Sequence, residues 1–265
     1  MPRPDLWSRE QLIAVYNLYC RLPFGKMDAR NRDVIALAGA IGRSPNAVAL
    51  KLVNFASLDP AIRASGRRGM GNVSAADRAI WEEFHGDWNK LVAESQQVLK
   101  GIGALPTEEG EIPEQTEPSF EEGQTREAII RVRMRQSFFR RSVLSSYHGR
   151  CCMSGITDER LLTASHIVPW SLDTANRLNP RNGLCLSALH DRAFDRFLIT
   201  VLTDGTIRVS DSLQNPSSSQ IMRTALLDLE GKRIELPERF LPDPQLLLWH
   251  NQQYENIKTN ASISH

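Results

Sequence analysis

No stretch of 18 consecutive apolar residues occurs anywhere in the chain, so nothing in it reads as a membrane-spanning helix. The N-terminal MPRPDLWSREQ has no apolar core of the kind a secretory signal needs. Cysteine is scarce: Cys20, Cys151, Cys152 and Cys185 form no CxxC pair. That spacing excludes a disulfide framework and a four-cysteine zinc knuckle, so no structural zinc is expected. These absences together predict a cytoplasmic protein. An excess of one charge is missing too, since the formal net charge is only +1.

That near-neutrality hides a segregation. Residues 1–100 carry 14 Lys and Arg against 10 Asp and Glu, and residues 126–265 carry 18 against 14. Between them, residues 101–125 carry seven acids and no basic residue. This stretch has three prolines and no apolar periodicity, so it cannot bury enough surface to offset the entropy of ordering. It reads as an acidic flexible linker. The expected organisation is a helical domain at 1–100, the linker at 101–125, a second domain at 126–254 and a disordered tail at 255–265. With 41% apolar residues, each domain can fill a core.

The first hundred residues are patterned for helices. Ser8 followed by Gln11 is a capping-box signal, opening an amphipathic run through Leu12, Ile13, Tyr16 and Tyr19. A second helix is expected over Asp33–Ile41, with Gly42 as its stop. A third begins at Ser44-Pro45 and a fourth near Ser74. The short Gly42-Arg43-Ser44 link gives the second and third the outline of a helix-turn-helix, and GRSPNAVALKL loosely resembles Myb/SANT-type three-helix DNA-binding modules. Arg43 and Lys51 are the expected DNA contacts, although three small helices are also the simplest way to build any α-domain.

Beyond the linker, Arg126–Arg150 holds seven arginines against the single acid Glu127, interleaved with aliphatic and aromatic residues. Arg131, Arg133, Arg135, Arg140 and Arg141 are the expected phosphate contacts, with a solvated basic face as the bland alternative.

The chemistry concentrates between Cys152 and Phe197. Leu161–Ile167 reads as a strand ended by Pro169. Asn182-Gly183 leads into Leu184-Cys185-Leu186, and Ser187 can cap a helix holding His190, Asp191, Arg192, Asp195 and Arg196. The unit is strand, long connection, strand, helix, with one histidine at the end of the first strand and another in the helix's first turn. Phosphodiester hydrolysis needs a base to activate water and a cation to stabilise developing charge, and a neutral imidazole near a divalent ion supplies both. Downstream, Phe197–Leu202 and Thr206–Ser210 around Asp204-Gly205 read as a β-hairpin.

The runs ASHIVPWS and NPRNGLCLSALHDRAFDR resemble the HNH nuclease family, in the branch with SHI.PW, NGL.L and H..FD. The resemblance implies an α+β chain with a helical, helix-turn-helix-like N-terminal domain and a C-terminal ββα-metal domain extended by the hairpin. It implies a DNA endonuclease working in restriction or defence. Carried over residue by residue, His166 is the general base, Asn182 the central residue that orients the loop, and His190 the metal ligand. The second ligand position of many members is Ser165 here, a poor donor to a hard cation. The resemblance therefore implies an ion, Mg²⁺ or Mn²⁺, held by His190, waters and substrate phosphate, assisted by Asp191 or Asp195, with Ser165 standing at the second ligand position. Arg192 and Arg196 are expected on phosphates or paired with the neighbouring acids.

The bland alternatives are a packed His166, an Asn182 that only completes a type I′ turn, and a solvent-facing His190. Cys151-Cys152 reads as core, with a thiol nucleophile of this pair activated by His148 as a further option. The partner implied is DNA, with no membrane and with a homodimer left open. The rival function is a non-catalytic helix-turn-helix regulator carrying a degenerate HNH scaffold.

Overall fold

A computed structural model describes residues 6–66, 73–103, 126–213 and 219–263, with the side chains of 126–131, 133 and 258–263 outside that description. The fold is α+β. It divides into two compact units, residues 1–145 and 146–265. This division puts the basic helix with the first unit, whereas the sequence expectation opened the second domain at 126. Nearly all of the expected acidic linker lies outside the described residues.

The first unit is built around α1 (Arg9–Arg21), whose residues Leu12 to Cys20 are all buried. The Ser8–Gln11 capping box forms as the spacing predicts. Helices α2 (Arg32–Ala40), α3 (Pro45–Leu58), α4 (Pro60–Ala64), α5 (Ala75–Phe84) and α6 (Trp88–Gly101) follow. All of these except α4 pack against α1. Tyr16 meets Phe55, Trp81 and Phe84 at centroid distances of 4.9, 5.8 and 6.5 Å, so one aromatic cluster ties α1, α3 and α5 together. Helix α6 was not expected; Asp87 caps it through the Lys90 N–H at 3.0 Å. Helix α7 (Arg126–Ser146) is long and basic and buries Phe138, Phe139, Val143 and Leu144.

The second unit places a two-stranded antiparallel ladder beneath a helix. Strand β1 (Leu162–His166) pairs with β2 (Gly183–Ser187) in a register that sets His166 opposite Gly183 and Leu162 opposite Ser187. Every residue of β2 is buried. Ser187 caps α8 (Ala188–Asp195), completing the expected ββα order. The expected hairpin forms as β3 (Ile199–Val201) and β4 (Ile207–Val209). Helices α9 (Gln220–Ala225) and α10 (Pro244–Ile263) follow. Helix α10 packs on β3 and buries Leu247, His250 and Tyr254, all ahead of the expected tail, and its helical backbone continues to Ile263.

One local expectation fails. Asn182-Gly183 is not a type I′ turn, because Gly183 is extended at φ −131° and neither residue has positive φ. Instead Pro180–Asn182 form a single 3₁₀ turn that delivers the chain into β2.

Candidate active site

The site grows from the loop between β1 and β2. Asn182 is fully buried, and its side chain spans that loop. Its Oδ1 accepts from the Val168 N–H at 2.8 Å, while its Nδ2 donates to the carbonyls of Val168 at 3.1 Å and Asn176 at 3.3 Å. The backbone adds Ile167 N–H to the Asn182 carbonyl at 2.9 Å. A short amide is suited to this task because it donates and accepts in one plane.

His166 leaves β1 at the mouth of this loop. Its Nε2–H donates to the Arg177 carbonyl at 3.0 Å, and its ring meets Trp170 edge-on at 5.6 Å. Arg177 is held in turn by a bond from its Nε to the Trp170 carbonyl at 2.8 Å. Burial pulls the His166 pKa down to about 4 against a smaller upward pull from the Arg177 carbonyl. The ring is therefore neutral at physiological pH, with its proton on Nε2 and the basic lone pair on Nδ1.

His190 sits differently. It is 2% exposed, and both ring nitrogens face protein groups. Nε2 donates to the Ala225 carbonyl at 2.9 Å, whereas Nδ1 lies 2.7 Å from Ser187 Oγ and 3.6 Å from Cys151 Sγ. Burial pulls its pKa down, but the Cys151 thiol and the Ala225 carbonyl outweigh it and the net shift is upward. Cys151 shows the reciprocal effect. Burial pushes the thiol up, yet hydrogen bonds from His190, Ser154 and the backbone bring it to about 6. Cys151 is fully buried, so no substrate reaches it, and His148 lies beside Glu238 at 3.8 Å rather than activating a thiol. The thiol-nucleophile option falls.

Next along α8, the carboxyl of Asp191 is raised in pKa by burial, against lowering by Ser165 and Arg192. Asp195, one turn further, is raised to about 6 by burial and by repulsion from Asp191. Ser165 is 2% exposed, and its hydroxyl acts on Asp191 as a hydrogen-bond donor that draws the carboxyl down. Among the described residues, no three His, Cys, Asp or Glu side chains converge as a metal cage. A hard cation that keeps most of its water shell fits two neighbouring carboxylates. It does not fit His190 as placed.

The expected DNA contacts separate into two groups. Arg43 is engaged structurally: its Nη2 donates to the Leu6 carbonyl at 2.6 Å and to Gln11 at 3.1 Å, and it stacks over Trp7. Lys51 bonds both oxygens of the fully buried Asp77, at 2.7 and 2.9 Å. Both cations have partners within the first unit: the buried Asp77 carboxylate holds Lys51, and Leu6, Trp7 and Gln11 hold Arg43. Arg135, Arg141, Arg192 and Arg196 are exposed and Arg140 is half-buried. The side chains of Arg131 and Arg133 lie outside the described residues.

The order β1, braced loop, β2, α8, with a neutral imidazole at the end of β1, coincides with one family pattern. Residues 151–202 match the HNH endonuclease family. The HNH segment covers about a fifth of the chain and includes His166, Asn182, His190 and both α8 carboxylates. No curated protein matches the chain. No described helix is long and apolar enough to cross a membrane. Sequence reasoning missed His250, which carries no motif.

Proposed function

We propose that this protein is an HNH endonuclease that hydrolyses DNA phosphodiester bonds with the aid of a divalent cation. The observation that carries the reading is the state of His166: neutral, half-buried, its Nε2 proton committed to the Arg177 carbonyl. That commitment leaves Nδ1 as the proton acceptor, which is what a base activating water requires. Asn182 holds the loop that supplies the Arg177 carbonyl, so the base is oriented before substrate arrives.

A cation bound at the α8 carboxylates would stabilise the charge that develops on the phosphate and its leaving oxygen. Exposed Arg192 on α8 and Arg196 at its C-cap suit contacts to flanking phosphates. The regulator reading rests on Ser165 as a lost ligand, and the two α8 carboxylates weaken that argument.

The test is plasmid cleavage by the full chain in Mg²⁺ or Mn²⁺, set beside EDTA and His166→Ala. Cleavage that needs the cation and disappears in the variant supports the reading. Loss of a general base costs on the order of 10²–10⁴ in rate. Equal cutting by the variant removes it.

A further inference from the structure

Within the nuclease reading above, on which this inference rests, we propose that the guanidinium of Arg177 binds a phosphate of the DNA strand that His166 serves. Arg177 is not among the arginines that the sequence alone points to as phosphate contacts.

The two ends of Arg177 have different work. Its carbonyl accepts the His166 Nε2–H at 3.0 Å, while its side chain turns back along the same loop. Nε donates to the Trp170 carbonyl at 2.8 Å, and the guanidinium carbon lies 5.5 Å from the centroid of the Trp170 ring. That ring meets His166 edge-on at 5.6 Å, so the cation and the proposed base sit against one indole. The loop beneath them is densely bonded. Asp173 accepts from the Ala175 and Asn176 N–H groups, both at 3.0 Å, and from Asn176 Nδ2 at 2.7 Å. Asn182 holds the Asn176 carbonyl at 3.3 Å. The guanidinium is thus ordered before any ligand arrives, which lowers the entropy that binding must overcome.

A guanidinium carries several N–H donors, and Nε spends only one of them. Among the described residues, no protein acceptor takes the terminal nitrogens of Arg177, and no carboxylate pairs with it. Asp173, the one acid of the loop, spends its oxygens on the turn and acts on Arg177 only through space. Neighbouring arginines differ: Arg160 is paired with Asp158 at 2.6 Å, and Arg181 with Asp243 at 3.5 Å. A brace for Trp170 needs one donor and no charge. The charge and the terminal donors of half-buried Arg177 therefore have no use within the described protein. With Nε occupied, the two terminal nitrogens form a planar end-on pair, which matches two oxygens of one phosphate. The contact with the Trp170 face fixes that plane without consuming a donor. A carboxylate has the same fork, but the strand brought to His166 carries phosphates.

The test is binding of the full chain to a labelled DNA duplex in EDTA, read by fluorescence anisotropy over a salt series, with melting temperatures in parallel. Arg177→Gln is expected to weaken binding about tenfold at low salt. It is also expected to flatten the slope of log affinity against log salt by about 0.9, at an unchanged melting temperature. Arg177→Lys keeps the charge and is expected to restore most of the slope, although without the planar fork it does not restore the full affinity. An unchanged slope in Arg177→Gln overturns the proposal, as does a slope that Arg177→Lys fails to restore. Wild type that binds no duplex overturns it too. Should Arg177→Gln fail to fold, Arg177→Met, which keeps the apolar stem over Trp170, takes its place. If neither folds, the side chain is a structural brace and the proposal falls. Wild type whose slope depends on Arg177 but that cuts no DNA in Mg²⁺ or Mn²⁺ leaves this assignment standing and removes the nuclease reading. Wild type that cuts DNA, with Arg177→Gln on the wild-type slope, does the reverse.

Discussion

The Nε2–H of His166 donates to the main-chain carbonyl of Arg177 at 3.0 Å, eleven positions further along the loop that Asn182 holds in place. Through this bond the fold chooses the tautomer of the proposed base before any substrate binds. Because desolvation holds the ring at about 4, the base form persists well below the ordinary histidine range.

With Mn²⁺ saturating at each pH, the acid limb of kcat/KM should therefore fall nearer 4 than 6.5. The sign follows from the depressed value: the neutral ring is kept as pH falls through 6.5 and is lost only near about 4. A pH–rate profile that already halves near 6.5 would show that the titrating base is not His166 in this setting.

Asn182→Ala should cost about 2–4 kcal/mol in stability, because it strands the buried Val168 N–H and two loop carbonyls. Cleavage should fall as well, since the loop that carries the Arg177 carbonyl loses its brace. Urea denaturation and plasmid cleavage on the same preparation measure both effects. A variant as stable as wild type would mean the loop is held from elsewhere.

His250 gives a separate pH effect on stability. It stacks on Phe194 at 3.7 Å, accepts from Thr200 Oγ1 at 2.7 Å and donates to the Phe194 carbonyl at 3.2 Å. Burial holds its pKa at about 4. Its contribution is thus fully present above the unfolded-state value of about 6.5 and is lost as pH falls towards 4, on the order of 3 kcal/mol. His166 acts in the same direction and Asp195, raised to about 6, in the opposite one. The discriminating measurement is the difference between wild type and His250→Phe. The variant should lose stability at pH 7 and show a shallower decline between pH 6.5 and 4. Parallel declines would exclude His250 as a titrating contributor.

Lys51→Met should destabilise the first unit by roughly 3 kcal/mol, because it leaves the buried Asp77 carboxylate without its cation. It should not alter the salt dependence of DNA binding. Replacing Arg192 and Arg196 by Gln should instead flatten the slope of log affinity against log salt, by up to about 0.9 for each phosphate no longer neutralised. Fluorescence anisotropy over a salt series separates the two. A flatter slope in Lys51→Met would return Lys51 to the DNA surface.

Local signals carried far in this sequence. The Ser8–Gln11 box, the Ser44-Pro45 start and the Ser187 cap depend on side chains three residues apart, so the helices they open are legible without a structure. The ββα order and the place of His166 were legible for the same reason. Which neighbour claims a polar side chain was not. Lys51 reads as an outward cation until Asp77, 26 residues away, takes it. The motif marks Asn182 as the residue that orients the loop, but not that the groups it holds are the Val168 N–H and the Asn176 carbonyl. His190 and Asp191 are consecutive letters in a motif. Tertiary packing turns one inward onto the Ala225 carbonyl and leaves the other beside Ser165. The sequence by itself determined the elements, their caps and the chemical inventory of the site, because periodicity and capping act over a few residues. Only the tertiary structure decided which imidazole nitrogen keeps a lone pair and which buried carboxylate holds which cation, because desolvation and hydrogen bonding depend on partners brought together across the chain.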